Sequence, residues 1–122
     1  SVMLQQLADD PFILLNMPHS RELMLSILTN AGIEPSIRFQ SASYETVRTF
    51  VAHDHGYAIL HQRPAHPYTY DGSSVAIVEI ADKVPELQTV LAYLASQRPT
   101  GRMRAVAAAV HAQVAEQSKL LM

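Results

Sequence analysis

The sequence predicts an α/β fold with a parallel core. Three observations predict it. Short apolar runs of strand length, such as Phe12–Leu15 and Tyr57–Leu60, sit between turns marked by proline and glycine. Segments with apolar residues at helical spacing lie between those runs. A serine precedes each of the first two such segments and a glycine follows it, which is start and stop chemistry for helices.

The first run, Phe12-Ile13-Leu14-Leu15, is bounded by Pro11 and by Asn16-Met17-Pro18. It has no polar alternation, which predicts a strand covered on both faces. Ser20 is expected to cap a helix over 20–31, with Glu22 in the first turn near the positive end of the helix dipole. Leu23, Met24, Ile27, Leu28 and Ala31 recur at helical spacing, and Gly32 reads as the stop. Pro35 opens a second strand, Ile37–Gln40, and Ser41-Ala42-Ser43 forms a polar turn. Ser43 is expected to cap a second helix over 44–54. Val47, Phe50 and Val51 are its expected buried stripe and Gly56 its expected stop. Tyr57–Leu60 reads as a third strand, closed by Pro64. Strand–helix–strand–helix–strand with short connections implies right-handed crossovers.

Residues 65–74 break this rhythm with Pro67, Gly72, two tyrosines and two serines, and read as an exposed loop. Ser74–Ile80 is rich in β-prone residues, and Thr89–Ala95 reads as another strand, with Pro85 between them. Thr100 is expected to cap a last helix from Gly101 to about Gln117. Met103, Val106, Ala107, Val110 and Val114 lie on one face of it.

Composition narrows the function. The chain has 122 residues, 48% hydrophobic and 16% charged, which suits one globular domain or part of one. There are no cysteines, so disulfides, thiolate metal sites and cysteine nucleophiles drop out. This fits a reducing compartment. Nine basic residues against eleven acidic ones give a net charge of −2, unlike an electrostatic binder of nucleic acid. No apolar run approaches the roughly 20 residues of a membrane-spanning helix, and no secretory leader is expected. No nucleophile-elbow pattern and no glycine-rich phosphate loop is present. His53-Asp54-His55 is the most metal-like cluster, but it falls at a helix end, where histidine is favoured by the dipole alone. No catalytic residue, metal or cofactor is expected.

The sharper signal is positional. In an open α/β sheet, ligands bind beyond the carboxyl ends of the parallel strands. Asn16–Ser20, with Pro18-His19-Ser20, follows the first strand, Gln40–Ser43, with Ser41-Ala42-Ser43, the second, and His61–Arg63 the third. Two of these lead into helix N-termini, whose free N–H groups suit a small polar or anionic ligand. The plainer reading of Ser20 and Ser43 is capping, worth about 1 kcal/mol each. Both readings stand at this point.

The segment PFILLNMPHSRELMLSILTNAGIEPSIRFQSASYETVRTFVAHDHGYAILHQRP resembles the C-terminal part of the effector-binding domain of LysR-type transcriptional regulators. The most family-like piece is SYETVRTFVAHDHGYAILHQRP: a polar turn, a helix, a glycine, an apolar strand and a proline. Gln62-Arg63 before Pro64, and the loop of residues 65–74, depart from the family pattern. The resemblance implies a type 2 periplasmic-binding-protein-like fold, two α/β lobes joined by crossover strands with the ligand between them. This chain would be a partial effector-binding domain. Residues 8–96 would form the second lobe, a βαβαβ core with a mixed sheet. The helix over 100–117 would pack on the first lobe. The implied function is sensing of a small organic effector, anionic or polar, by a cytoplasmic regulator that is not an enzyme. The implied partners are a second copy or the missing first lobe. DNA would be reached only through a helix-turn-helix outside this chain, and no membrane is involved. Residues 41–43 match the family's effector-contacting turn, and Arg63 is a candidate counter-charge. Two other readings remain open: part of a solute-binding protein of the same fold, and an α/β domain without a ligand.

Overall fold

Alternation along one short strand organises the whole core. The computed structural model describes residues 1–120. It places a 3-10 turn at Leu4–Leu7 ahead of strand β1 (Pro11–Leu15), helix α1 (Ser20–Asn30), strand β2 (Ser36–Ser41), helix α2 (Tyr44–Ala52) and helix α3 (Gly101–Leu120). Successive side chains of a strand point to opposite faces. Phe12 and Leu14 pack with Leu4, Met24, Ile27 and Leu28, while Ile13 and Leu15 pack with Val47 and, across α2, Phe50 and Val51. The two helices therefore cover opposite faces of β1, the expected result of an apolar run without polar alternation.

β1 and β2 pair in parallel, with the register shifting between Phe12 and Ile13 so that Arg38 bulges out. β2 is the sheet edge; Ile37, Arg38 and Gln40 are exposed. The third expected strand is reduced to one parallel bridge. Tyr57 N–H donates to the Pro11 carbonyl at 3.0 Å and Ile13 N–H to the Tyr57 carbonyl at 2.8 Å. The α/β class and the strand–helix order hold, but Ala58–Leu60 carry no ladder beyond that bridge. Ser74–Ile80 and Thr89–Ala95 are not strands either. The former joins only the isolated bridges Val2–Ile80 and Tyr68–Ser74, and the latter is exposed along its length. An apolar β-prone run needs a continuous neighbour along its edge to become a strand; among the described residues Ser74–Ile80 has only those two single bridges and Thr89–Ala95 has none.

Both helix ends follow from the backbone, and only that of α2 differs from expectation. α1 stops as expected: Gly32 sits at φ 75°, Gly32 N–H donates to the Thr29 carbonyl and Ile33 N–H to the Leu28 carbonyl, both at 2.9 Å. That is the Schellman arrangement, with Ile33 buried beside Leu28. α2 uses the same arrangement, but its left-handed residue is Asp54 at φ 63°, two residues before Gly56. Asp54 N–H donates to the Val51 carbonyl and His55 N–H to the Phe50 carbonyl. Gly56 serves another purpose. A Cβ there would lie 2.2 Å from the Pro11 carbonyl oxygen, so only glycine lets the chain approach β1 and make the Tyr57 bridge. Phe50 is partly rather than fully buried. It stacks on Phe39 with ring centroids 4.6 Å apart and meets His55 edge-on at 5.5 Å. Val47 and Arg48 are the buried residues of α2.

The chain divides into two compact units, Ser1–Leu87 and Gln88–Met122. The second holds α3, whose start is capped as expected: Met103 N–H donates to the Thr100 hydroxyl at 3.2 Å. Val106, Val110 and Val114 are exposed along it.

Candidate functional site

The carboxyl end of β1 opens into a cleft of about 440 Å³ in the first unit. Leu15, Met17, Pro18, His19 and Ser20 form one side of it, and Tyr44, His61 and Gln62 the other. The turn into α1 is tight. Ser20 N–H donates to the Pro18 carbonyl at 2.8 Å and Arg21 N–H to the Met17 carbonyl at 3.0 Å. Ser20 was expected to be the cap, but it is the first helical residue. His19 holds the cap position at φ 64°, without a side-chain cap bond. The backbone carbonyls of Met17 and Pro18 have already taken the first donors, so no side-chain cap is needed.

The turn into α2 is built differently. Ser43 caps it, accepting from Thr46 N–H at 3.3 Å, and Ser41 Oγ accepts from Ser43 N–H at 3.1 Å. Both serine oxygens are thus engaged by backbone, as the capping reading requires. Tyr44 and Glu45 N–H have no acceptor among the described residues, so this end keeps two donors and the positive end of the dipole. Ser41, Ala42 and Ser43 lie beside the cleft rather than in its wall; Tyr44, the next residue, is the one that lines it. The strands bring the two turns together through Asn16 N–H, which donates to the Ser41 carbonyl at 2.8 Å. Arg63 does not join them. It lines a separate, largely aliphatic cavity of about 450 Å³ bounded by 57–64 and 75–80.

Tyr44 is a site residue that the sequence reading missed. Its hydroxyl donates to the Gln62 carbonyl at 2.6 Å and fixes the partition between the two cavities. Burial pushes this hydroxyl above the ordinary tyrosine range; nearby Arg48 opposes the shift and Glu45 reinforces it. Arg48 is the second omission. Only 4% exposed, it pairs with Glu45 one turn back and donates to the His66 and Tyr68 carbonyls at 3.3 and 3.2 Å. It ties the 65–74 loop to α2. The Glu45–Arg48 spacing was the only signal in the sequence that could have shown it.

The three residues of His53-Asp54-His55 diverge. His53 Nε2 meets the Asp71 carboxylate at 2.7 Å, Asp54 takes the left-handed turn, and His55 packs on Phe39 and Phe50. Asp71 also accepts from the Thr69 hydroxyl and from Ser73 N–H at 3.0 Å. The His53 contact first, then Thr69 and Ser73, hold its carboxyl well below the usual carboxylate range. No group of three or more potential metal ligands converges among the described residues. No helix among them is long and apolar enough to cross a membrane.

Residues 1–115 match the LysR substrate binding domain. The fold is similar to that of HinK, a LysR family transcriptional regulator from Pseudomonas aeruginosa. Identity is 38% and the TM-score 0.67, over 69% of this chain and 29% of that one. It is also similar to the C-terminal domain of a probable LysR family transcriptional regulator from Rhodococcus sp. RHA1. There identity is 36% and the TM-score 0.66, over 69% of this chain and 41% of that one. The match thus spans less than half the length of either. No curated protein sequence matches it significantly. A family match over nearly the whole chain, and relatives that share both sequence and fold, agree with the βαβα order and the twin helix N-termini: the chain belongs to the LysR substrate-binding domain family and is a fragment of its two-lobe fold.

Proposed function

We propose that this chain is the effector-sensing part of a LysR-type transcriptional regulator, binding a small organic anion or polar metabolite. One observation carries the reading: a cleft of about 440 Å³ opens where β1 ends and α1 begins, and the N-terminus of α2 stands beside it with two uncommitted amides. That volume falls within the range of small-ligand sites. Pro18, His19 and Ser20 form the near wall, and the Tyr44 and Glu45 amides that follow the Ser41-Ala42-Ser43 turn supply the donors for a carboxylate. Arg63, facing the other cavity, takes no part in this reading.

The role is binding, not catalysis. The parent regulator acts in the cytoplasm and reaches DNA through a helix-turn-helix outside this chain. The apolar face of α3, with Val106 60% and Val114 55% exposed, is the surface for the first lobe or a second copy. The regulator should be titrated calorimetrically with a panel of small carboxylates, phosphorylated metabolites and neutral polar metabolites. Saturable binding of one class, weakened at least about tenfold by Ser20→Asp, is expected. Binding that Ser20→Asp leaves unchanged would move the site away from this cleft.

A further inference from the structure

His19 holds a backbone conformation that a side chain rarely takes. Ser20 N–H donates to the Pro18 carbonyl at 2.8 Å, which closes a three-residue turn with His19 at its centre, at φ 64° and ψ −40°. That is the γ-turn of positive φ, a rare and strained arrangement. Glycine takes a positive φ without cost; histidine does not. The fold gives the imidazole nothing in return. It makes no capping bond, and the imidazole hydrogen bonds among the described residues belong to His53. The strained turn sets this ring in the wall of the cleft at the end of β1.

His61 stands in the opposite wall, with Tyr44 and Gln62, and also borders the second cavity across the Tyr44–Gln62 partition. The cleft thus has one imidazole on each side. No acidic residue lines it among the described residues. The other charged groups nearby are engaged or lie elsewhere. Arg21 of α1 donates to the Gln40 side chain at 3.4 Å, Glu45 of α2 pairs with Arg48, and Arg63 lines the second cavity. Glu22, in the first turn of α1, and Glu86, beside Leu87, are exposed and form no part of the lining. The Tyr44 hydroxyl is already donated to the Gln62 carbonyl. The charge of the cleft is therefore set by its two histidines. Histidine is the side chain that ordinarily gains or loses its charge between about pH 5 and 8.

We propose that this cleft takes a small dicarboxylate, one carboxylate at His19 and the other at His61, and that its binding takes up protons on the two imidazoles. The proposal rests on the sensing reading of the same cleft and adds the charge of the ligand and its dependence on pH. Two cationic centres on opposite walls match two separated anionic groups, whereas a phosphate ester carries both charges on one group. Leu15, Met17 and Leu87 line the space and suit the carbon stem between the carboxylates. On the side of His61 and Tyr44, the free amides at the start of α2 add donors for the second carboxylate. An imidazole that gains an anionic partner holds its proton more tightly. Affinity is therefore greatest with both rings protonated and is lost as the pH rises through the histidine range.

Calorimetric titration of the regulator with succinate, glutarate and adipate, at about pH 6 and about pH 8, tests this. Carboxylates are ionised at both, while histidine changes charge between them. At least one of the three should bind saturably, about tenfold or more tighter at the lower pH, and its half-amide more weakly. His19→Asn, which tolerates positive φ, and His61→Gln should each remove part of the pH dependence, and the double variant all of it. Equal affinity at the two pH values, a pH dependence that the double variant retains, or equal binding of the half-amide would overturn the proposal and leave the sensing reading standing. So would binding of another class from the wider panel with none by the three dicarboxylates. Binding of no compound in the panel would overturn both.

Discussion

Replacing Gly56 by alanine tests the β1 contact at a single methyl group. The added Cβ would lie 2.2 Å from the Pro11 carbonyl oxygen and 2.9 Å from its carbonyl carbon. Both are backbone atoms, so no side-chain rotation relieves the clash. Contacts under 3.0 Å do not persist, so the two segments must separate by most of an ångström. Separation stretches the Tyr57-to-Pro11 and Ile13-to-Tyr57 hydrogen bonds, which are 3.0 and 2.8 Å long. Each is worth about 1 kcal/mol. Forcing alanine to φ 145° adds about 1–2 kcal/mol of backbone strain. Together Gly56→Ala should cost about 3–4 kcal/mol. Gly72→Ala is the control. Gly72 also has positive φ, at 83°, but nothing lies within 4 Å of a Cβ there, so only the backbone term of about 1 kcal/mol remains. Urea melts of the two variants, read by far-ultraviolet circular dichroism, give the difference. Equal losses for both, or a loss below about 1 kcal/mol at Gly56, would refute the close approach.

Other perturbations follow from the same contacts. Val47, fully buried against Ile13 and Leu15, should lose about 2–3 kcal/mol as alanine, whereas partly exposed Phe50→Ala should lose no more than that despite its larger size. Denaturant midpoints that rank Phe50 far above Val47 would reverse the burial assigned to α2. Arg48→Met strands the Glu45 carboxylate, one of whose oxygens is already buried without a partner, and should cost about 3–5 kcal/mol. Adding Glu45→Gln should recover part of that loss, and a double variant no better than the single one would deny the pairing. Asp71 titrates below the usual carboxylate range in the folded chain, so its contribution is complete above about pH 4. It fades only as the pH falls through the depressed folded value. The protection of amides in residues 69–73 should therefore hold down to about pH 4 and weaken as the pH falls further, and Asp71→Asn should remove it at about pH 4 and above.

The sequence disclosed what local chemistry decides. β1 was legible because four consecutive apolar residues between prolines have little other use. The starts of α2 and α3 were legible because Ser43 and Thr100 cap them as their side chains suggest. The end of α1 was legible because Gly32 has the left-handed conformation that glycine favours. What was not legible depends on distant chain. Gly56 looks like a helix stop in sequence, and only the position of Pro11 shows why it must be glycine. Tyr57–Leu60, Ser74–Ile80 and Thr89–Ala95 have strand composition, but strand formation needs an edge partner that composition does not supply. At the candidate site, the turns at 18–20 and 41–43 follow from strand order. Tyr44 was missed because its contact with Gln62, eighteen residues away, has no local signature.

The most direct test of the sensing account is Ser43 in the full regulator, by calorimetric titration with the effector identified from the panel. Ser43→Ala removes the cap on Thr46 N–H and should cost up to about 1 kcal/mol of stability while leaving effector affinity nearly intact. Ser43→Asp keeps the cap but places a negative charge beside the Tyr44 and Glu45 amides, and should weaken an anionic effector about tenfold or more. If the Asp variant binds with unchanged affinity, the turn is only a helix cap and effector recognition at the α2 terminus is contradicted.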